Sequence, residues 1–552
     1  MRLLLLILCC FFSTLVWALN VLPSSVQPER QTTRTPTASV PYSPTDLLSV
    51  SPTAPSVDVS VHTVYFLFNG FIFEGATLLS EREVLPLYQD KLGKEITLAQ
   101  LYEIANNIEQ LYMADGYILT RVIIPAQEID HGEKIKLIIV EGFIDQIDIE
   151  TDNASLKAFL TEMAEPILES KPLKLTDLEA ALLRMNDLPG ISVRSVLSPS
   201  PTTVGASRLT IEVYEKDYAA VAHIDNRGTK WTGPTEYLAS VTANNPGGYI
   251  SETTLEGTAT DPWHEMQAAS ITHIKPFGQY GAFFEGVLNY SQVNPGYTLT
   301  PLDVHGYSSS LQLATQQALI RQRSHNLSAW MRYDVSNSKT NSLGELLYLD
   351  RIESIRGGFV FDLTDNWQGS NLITGEISQG VNLFTGQNEP HILRSRFFGT
   401  KDYTKVNAQV TRLQQLPDNF AIFISGQAQY SANPLLVAEE FGVGGEDYGI
   451  GYDYFEISGD SGYAGRLELR KSYYPDYWGL NFFQPYVTYD GGQVFQKQDG
   501  FSQSLVSLGG GFRMNVTEFF TGQLEVGQPL TRKVASTDSK NARVFFYFTA
   551  QL

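Results

Sequence analysis

The chain has 552 residues, with 60 acidic against 39 basic side chains and a formal net charge of -21. That balance argues against nucleic acid as a general partner. The two cysteines, Cys9 and Cys10, both fall inside an N-terminal apolar run and leave no disulfide or thiolate metal site downstream.

Met1-Arg2 precedes an apolar run from Leu3 to Trp17, which ends on Ala18. A short run followed by polar, Pro-rich sequence predicts a signal peptide over 1–18 rather than a membrane anchor, and neither cysteine sits in a lipoprotein cleavage context. Residues 19–62, rich in Pro, Ser, Thr and Val, read as a flexible linker. A short helix near Asp46 to Val50 lacks supporting signals.

From residue 63 the chain alternates strand, helix, helix, strand, strand, twice. In 63–142, Val64 to Phe73 is a predicted strand. Ser80 with Glu83 forms a capping-box pattern, and Thr97 opens a helix in which Leu98, Leu101, Ile104, Ala105, Ile108 and Leu111 recur at helical spacing. Gly116 ends it. Tyr117 to Ile124 and Lys134 to Glu141 are predicted strands around the turn Asp130-His131-Gly132. In 143–216 the same order runs through strand Phe143 to Glu150, helices Leu156 to Leu168 and Leu175 to Leu188 (opened by Thr176 or its neighbour), and strands Ile191 to Leu197 and Arg208 to Tyr214. The repeat is one of pattern rather than identity.

Beyond Lys216 no convincing helix occurs. Residues 217–552 suffice for about 16 antiparallel strands with short turns at one end and longer loops at the other; 14 or 18 also fit. Val406, Ala408 and Val410 oppose Asn407 and Gln409. Ile422, Ile424, Ala428 and Tyr430 oppose Ser425, Gln427 and Gln429. Val544, Phe546, Phe548, Ala550 and Leu552 oppose Arg543, Tyr547, Thr549 and Gln551. An apolar face opposite a polar one fits a lipid-facing exterior around a polar lumen. The 28 Tyr, 30 Phe and 44 Gly fit the girdles and tight strands of such a barrel. The rival is a soluble sandwich or propeller; a strand that runs to the last residue favours closure on the first strand.

Several short motifs appear in order. The first module reads Tyr112-Met113-Ala114-Asp115-Gly116-Tyr117-Ile118, Pro125-Ala126-Gln127, a turn ending in Gly132, and Glu141-Gly142-Phe143-Ile144; the barrel opens with Asp225-Asn226-Arg227-Gly228 and Thr232-Gly233. These resemble the POTRA domain and barrel entry of the two-partner secretion transporters, the haemolysin secretion/activation family ShlB/FhaC/HecB, over roughly 64–552. The resemblance implies tandem α+β POTRA domains followed by an all-β transmembrane barrel.

It further implies a long loop folded into the lumen, with (V/G)-R-G-Y followed by S-G-D-x-G. This chain carries Gly444-Gly445, Gly449-Ile450-Gly451-Tyr452 and Ser458-Gly459-Asp460-Ser461-Gly462, so Ile450 stands where the family has arginine. The family's arginine pairs with a lumen Asp, here Asp490. From alternation alone, Asp490 shares an inward face with Gln484, Tyr486 and Thr488, and Arg466, Glu468 and Arg470 face inward from the preceding strand. A carboxylate in a partly dry lumen is costly unless paired, so Arg466 or Arg470 is expected to replace the missing arginine; the alternative is a hydrated Asp490.

Gly459-Asp460-Ser461-Gly462 also resembles a trypsin-like nucleophile segment, but Tyr463 replaces its second downstream glycine and no base is proposed nearby. His264-Glu265 lacks a second His at metal-ligand spacing, and no nucleotide motif is present. No enzymatic activity and no cofactor are expected.

The resemblance implies a monomeric outer-membrane transporter with periplasmic POTRA domains, which captures a large unfolded exported client and moves it to the surface. Lys134 to Val140 and Arg208 to Val213 are candidate open sheet edges for client addition. A BamA-type insertase and a passive pore or surface-binding barrel are the alternatives.

Overall fold

The structure, a computed structural model, describes residues 22–31, 48–50, 65–128, 133–384, 390–475 and 479–552. The predicted signal peptide and the turn ending in Gly132 lie outside the described residues.

The chain first pairs through β1 (Leu48–Val50). The first module comprises β2 (Tyr65–Phe68), β3 (Phe71–Glu74), α1 (Glu81–Val84), β4 (Lys94–Thr97), α2 (Leu98–Ala114), β5 (Arg121–Ile123) and β6 (Ile135–Val140). The expected strand from Val64 to Phe73 is broken in two. Gly70, at φ 105°, turns the chain so that β2 pairs with β4 while β3 joins the sheet β3-β6-β5. The predicted capping box forms at Ser80 with Glu83, and Thr97, expected to open the next helix, forms a second one with Gln100; such caps contribute about 1 kcal/mol each. Leu101, Ile104, Ala105, Ile108 and Tyr112 of α2 pack on Ile135, Leu137 and Ile139 of β6. The strand expected from Tyr117 shortens to β5 because Tyr117–Thr120 closes a turn, Thr120 N–H donating to Tyr117 O at 3.2 Å.

The second module comprises β7 (Phe143–Glu150), α3 (Ala154–Glu169), α4 (Leu175–Asn186), β8 (Ile191–Pro199) and β9 (Ala206–Glu215). No side chain caps α4. Instead the Ser170 hydroxyl accepts from Lys174 N–H at 3.1 Å and donates to Asp177 at 2.8 Å. The sheet order is β1-β8-β9-β7, with β1 parallel to β8. Leu48–Val50, where a short helix lacked supporting signals, is a strand. One expectation is corrected: neither candidate edge is an edge. β6 lies between β3 and β5, and β9 between β8 and β7, because each supplies buried side chains to its module's core, Ile135, Leu137 and Ile139 from β6 and Leu209 and Ile211 from β9. The outermost strands are β3 and β5 in one sheet, β1 and β7 in the other.

Among the described residues, no α-helix follows Asn186. The remaining strands are β10 (Tyr218–Asp225), β11 (Thr235–Asn244), β12 (Glu252–Asp261), β13 (Met266–Phe277), β14 (Ala282–Val293), β15 (Val304–Arg321), β16 (His325–Ser342), β17 (Glu345–Thr364), β18 (Gly369–Val381), β19 (Thr404–Gln415), β20 (Phe420–Ser431), β21 (Phe441–Val443), β22 (Ile457–Gly459), β23 (Ser461–Lys471), β24 (Leu480–Phe495), β25 (Ser502–Val516), β26 (Phe520–Pro529) and β27 (Arg543–Gln551). All except β21 and β22 close one antiparallel barrel of 16 strands, β27 pairing with β10. The alternation holds. Val406, Val410, Ile424, Tyr430, Val544, Phe546 and Phe548 are exposed outward, while Glu468, Thr488 and Asp490 are buried inside. Aromatic pairs sit at both rims, Tyr237 on Trp263 at one end and Phe520 on Phe548 at the other. A second-module surface docks on two turns of the barrel: Asp187 binds Arg321 bidentately at 2.6 and 2.7 Å, Glu179 meets Arg323 at 3.0 Å, and Arg184 lies over Tyr280 at 5.3 Å.

Candidate functional site in the barrel lumen

The segment between β20 and β23 enters the lumen as the ribbon β21–β22. Its tip turns at Gly449, whose φ of 125° is open to glycine and strained for other residues. Gly444 N–H donates to Tyr448 O at 2.8 Å and closes the hairpin. Tyr448 and Tyr452 are buried and hydrogen-bonded, the first to Ser425 at 2.7 Å and the second to Val506 O at 3.2 Å. With Phe441, Val443, Ile457, Ala464 and Leu505 they form an apolar cluster inside a polar lumen. That cluster gives the loop a seat of its own.

Ile450 is fully buried at the tip. Its N–H donates to Asp490 at 3.2 Å, so the loop meets Asp490 through its backbone rather than a guanidinium. Arg466, directly opposite Asp490 in the β23–β24 ladder, donates to it at 3.1 Å, and the Ser507 hydroxyl donates as well. Arg470 stands elsewhere: it binds Glu468 at 2.5 Å, which also accepts from Arg513 at 2.7 Å. Thus Arg466 and Asp490 are brought together, while Arg470 and Glu468 form a separate pair.

Asp460 joins three loops. Its carboxylate accepts from Leu435 N–H at 2.7 Å, from Lys497 N–H at 2.7 Å and from the Arg396 guanidinium. Gln429 donates to Asp460 O at 3.1 Å, and Ser458 donates to Glu440 at 2.8 Å. The neighbouring turn is pinned by Glu439, which pairs with Arg356 and Lys405, each at 2.7 Å.

The segment 22–31, which reads as linker from sequence, lies inside the lumen. Buried Arg30 donates to Val437 O at 2.6 Å, meets Glu440 at 3.4 Å and lies over the Phe455 ring at 4.4 Å. Pro28 O accepts from Ser291 at 2.5 Å, and Glu29 accepts from Tyr348 at 3.3 Å. Two short 3-10 turns, Ser24–Val26 and Pro28–Arg30, carry these contacts. The only sequence signal was Glu29-Arg30 in an otherwise uncharged stretch, too slight to place it. A cavity of about 830 Å³ remains, bounded by Gln31, Asp225, Glu236, Gln427, Glu440 and Tyr448.

The first-module motif residues make contacts within their own module. Gln127 acts as one more rung beside β6: its amide donates to Lys136 O at 2.9 Å and accepts from Lys136 N–H at 2.9 Å. Pro125 O accepts a third bond from it at 3.3 Å. Gly116 follows the end of α2, and Tyr117 packs edge-on against Tyr112. Glu141 accepts from Thr77 N–H at 2.7 Å, Leu78 N–H at 3.0 Å and Tyr112 at 3.1 Å. Partial burial opposes its charge, but these bonds outweigh that and hold the carboxyl below its usual range. At Gly142 a Cβ would lie 2.5 Å from Leu119 O, so only glycine lets the two segments touch.

Comparison with known proteins agrees with this architecture. The family model for haemolysin secretion/activation protein ShlB/FhaC/HecB matches residues 205–514, and that for the ShlB-type POTRA domain matches 66–142. The heme/hemopexin transporter protein HuxB of Haemophilus influenzae is 24% identical over 482 residues, covering 83% of this chain and 82% of the relative. The outer membrane transporter CdiB of Escherichia coli is 24% identical over 522 residues, 88% of this chain and 82% of the relative. The solved structure of CdiB from Escherichia coli superposes with a TM-score of 0.70 at 20% identity, over 91% of this chain and 93% of that one. The chain belongs to the haemolysin secretion/activation family ShlB/FhaC/HecB, the outer-membrane transporters of two-partner secretion.

Proposed function

We propose that this transporter serves one dedicated partner protein, engages it unfolded at the periplasmic modules, and works as a monomer embedded in outer-membrane lipid. The observation that carries this reading is the filled lumen: the loop 432–460 and the segment 22–31 together occupy a barrel whose wall is otherwise polar and continuous. A plain diffusion pore needs neither insert; a channel for a chain needs both to give way.

The geometry supports the following residue roles. The loop from Gly444 to Gly462 sets the resting width of the lumen. Asp490 with Arg466 receives its tip, and Asp460 fixes its base. In the Glu468, Arg470 and Arg513 cluster two guanidinium groups share one carboxylate, which leaves the adjoining wall net positive. Residues 1–18 are the signal peptide that directs export, and 63–142 and 143–216 are the client-binding modules. An unfolded client adds to a sheet by main-chain hydrogen bonds. Of the outermost strands, β5 has its Val122 N–H taken by Glu109 at 3.1 Å, which favours β1, β3 and β7 as the edges for the client. Folding of the client outside removes it from the equilibrium and supplies the drive. The protein acts without catalysis or cofactor.

The test is the culture-medium and cell-surface proteome of a strain lacking the gene. Loss of one large exported protein, restored by adding the gene back, is the expected result. An unchanged exported set with depleted outer-membrane proteins would overturn it in favour of an insertase.

A further inference from the structure

The weakest closure of the barrel is where its ends meet. β10 and β27 share five paired residues, Val221 with Gln551 through Asp225 with Tyr547, against eight between β10 and β11. Just past this ladder, Asn226 extends it with its side chain: the amide donates to Val544 O at 3.0 Å and accepts from Phe546 N–H at 2.7 Å. The next residue turns inward. Arg227 is buried, donates to Ile450 O at 3.0 Å, pairs with Glu525, and lies over the Phe545 ring at 3.8 Å. From the other side of the seam, Arg543 of β27 donates to Gly451 O at 3.4 Å, binds Asp453 at 2.8 Å, and approaches the same ring at 4.9 Å. Two arginines, one just past the end of β10 and one at the start of β27, therefore grip consecutive carbonyls of the loop tip and flank one phenylalanine.

We propose that Arg227 and Arg543 are positioning residues that bind the lumen loop to the barrel seam, so that seating of the loop and closure of β10 on β27 are a single event. An arginine buried beside a carbonyl and a carboxylate holds only while all its partners are in place, since a lone buried guanidinium is strongly unfavourable. Withdrawal of the loop strips both arginines of a partner at once and removes the inner brace of the shortest ladder. The barrel then widens at the seam, which is where the cavity beside Asp225 and Glu236 already lies.

Hydrogen exchange on the purified full chain, read together with its conductance in a planar bilayer, tests this. In Arg227→Ala, exchange is expected to rise at least tenfold both at 446–456 and along 218–226 and 543–551, with longer open times, while β14–β16 stay protected. Arg227→Lys and Arg543→Lys keep the charge but lose the fork, and each is expected to raise both regions together by a few fold. Because these milder variants preserve the ion pairs, they decide the matter if the alanine variant does not assemble. Faster exchange at the loop with an unchanged seam, or no change at either, would falsify the proposal.

Discussion

The two ends of the lumen loop are held by opposite chemistry. At its base a motif side chain does the holding: Asp460 gathers two N–H groups and a guanidinium from three separate loops. At its tip the side chain contributes only packing. Ile450 offers its N–H to Asp490 and its carbonyl to Arg227, and the charges lie on the barrel wall. The same task, fixing a strand-poor segment in a polar lumen, is thus met once by a charge on the loop and once by charges around it. Loss of an arginine at position 450 does not unseat a tip whose backbone is the ligand.

The contrast predicts a large asymmetry between the two carboxylates. Asp460→Asn leaves Arg396 with Glu440 at 3.1 Å as its remaining counter-charge and replaces an acceptor by a donor among N–H groups, at a cost of about 3 kcal/mol. The loop should become sensitive to added protease on whole cells, and export should fail. Asp490→Asn is milder: the amide oxygen still accepts from Ile450, and Arg466 keeps Glu468 nearby. A cost of about 2 kcal/mol is expected, with the loop still protected and export reduced but measurable. Equal sensitivity of the two variants would break the contrast.

The sequence made the loop frame and the inward face carrying Asp490 legible, because alternation and glycine-rich motifs are local signals, while the strand count stayed open between 14, 16 and 18 until the barrel closed on 16. Parity narrowed the partner of Asp490 to Arg466 or Arg470, and only the ladder register chose Arg466. Arg227 and Arg543 were not. Each meets the loop from about 90 to 220 residues away in sequence, and no periodicity encodes a contact across a closing seam. The lumen segment 22–31 was misread as linker for a related reason. It is anchored by one salt bridge and a few carbonyls rather than by an apolar stripe, so its composition looks solvated. The sheet edges were misassigned because strand order is a property of packing, not of succession.

A remote carboxylate sharpens the point that motif residues can serve the fold and not the channel. Glu141 is held below its ordinary range in the first module, so its stabilisation is fully present above the unfolded value, about pH 4.3. It is lost as pH falls through the lowered folded value. Proteolysis of the full chain by an acid-active protease between about pH 5 and about pH 3 should therefore show the 65–128 region loosening on acidification. Glu141→Gln should flatten that dependence and lower stability at neutral pH by roughly 1–2 kcal/mol, leaving loop protection in the lumen unchanged.

The smallest effect is expected where charges are half in water. Asp187 and Arg321 join the second module to the barrel with good bidentate geometry, but their side chains keep 32% and 17% of their exposure. A pair of this kind contributes no more than about 1 kcal/mol, and salt weakens it further. Asp187→Ala should leave folding and loop protection intact, yet raise hydrogen exchange at the turn 321–324, and wild type at high salt should mimic it. Arg184 over Tyr280 and Glu179 with Arg323 share the same surface, so the module should loosen without detaching. If export nevertheless fell as far as in Asp460→Asn, the docked position of the module would matter to transport as much as the loop does, and the lumen would no longer be the single point of control.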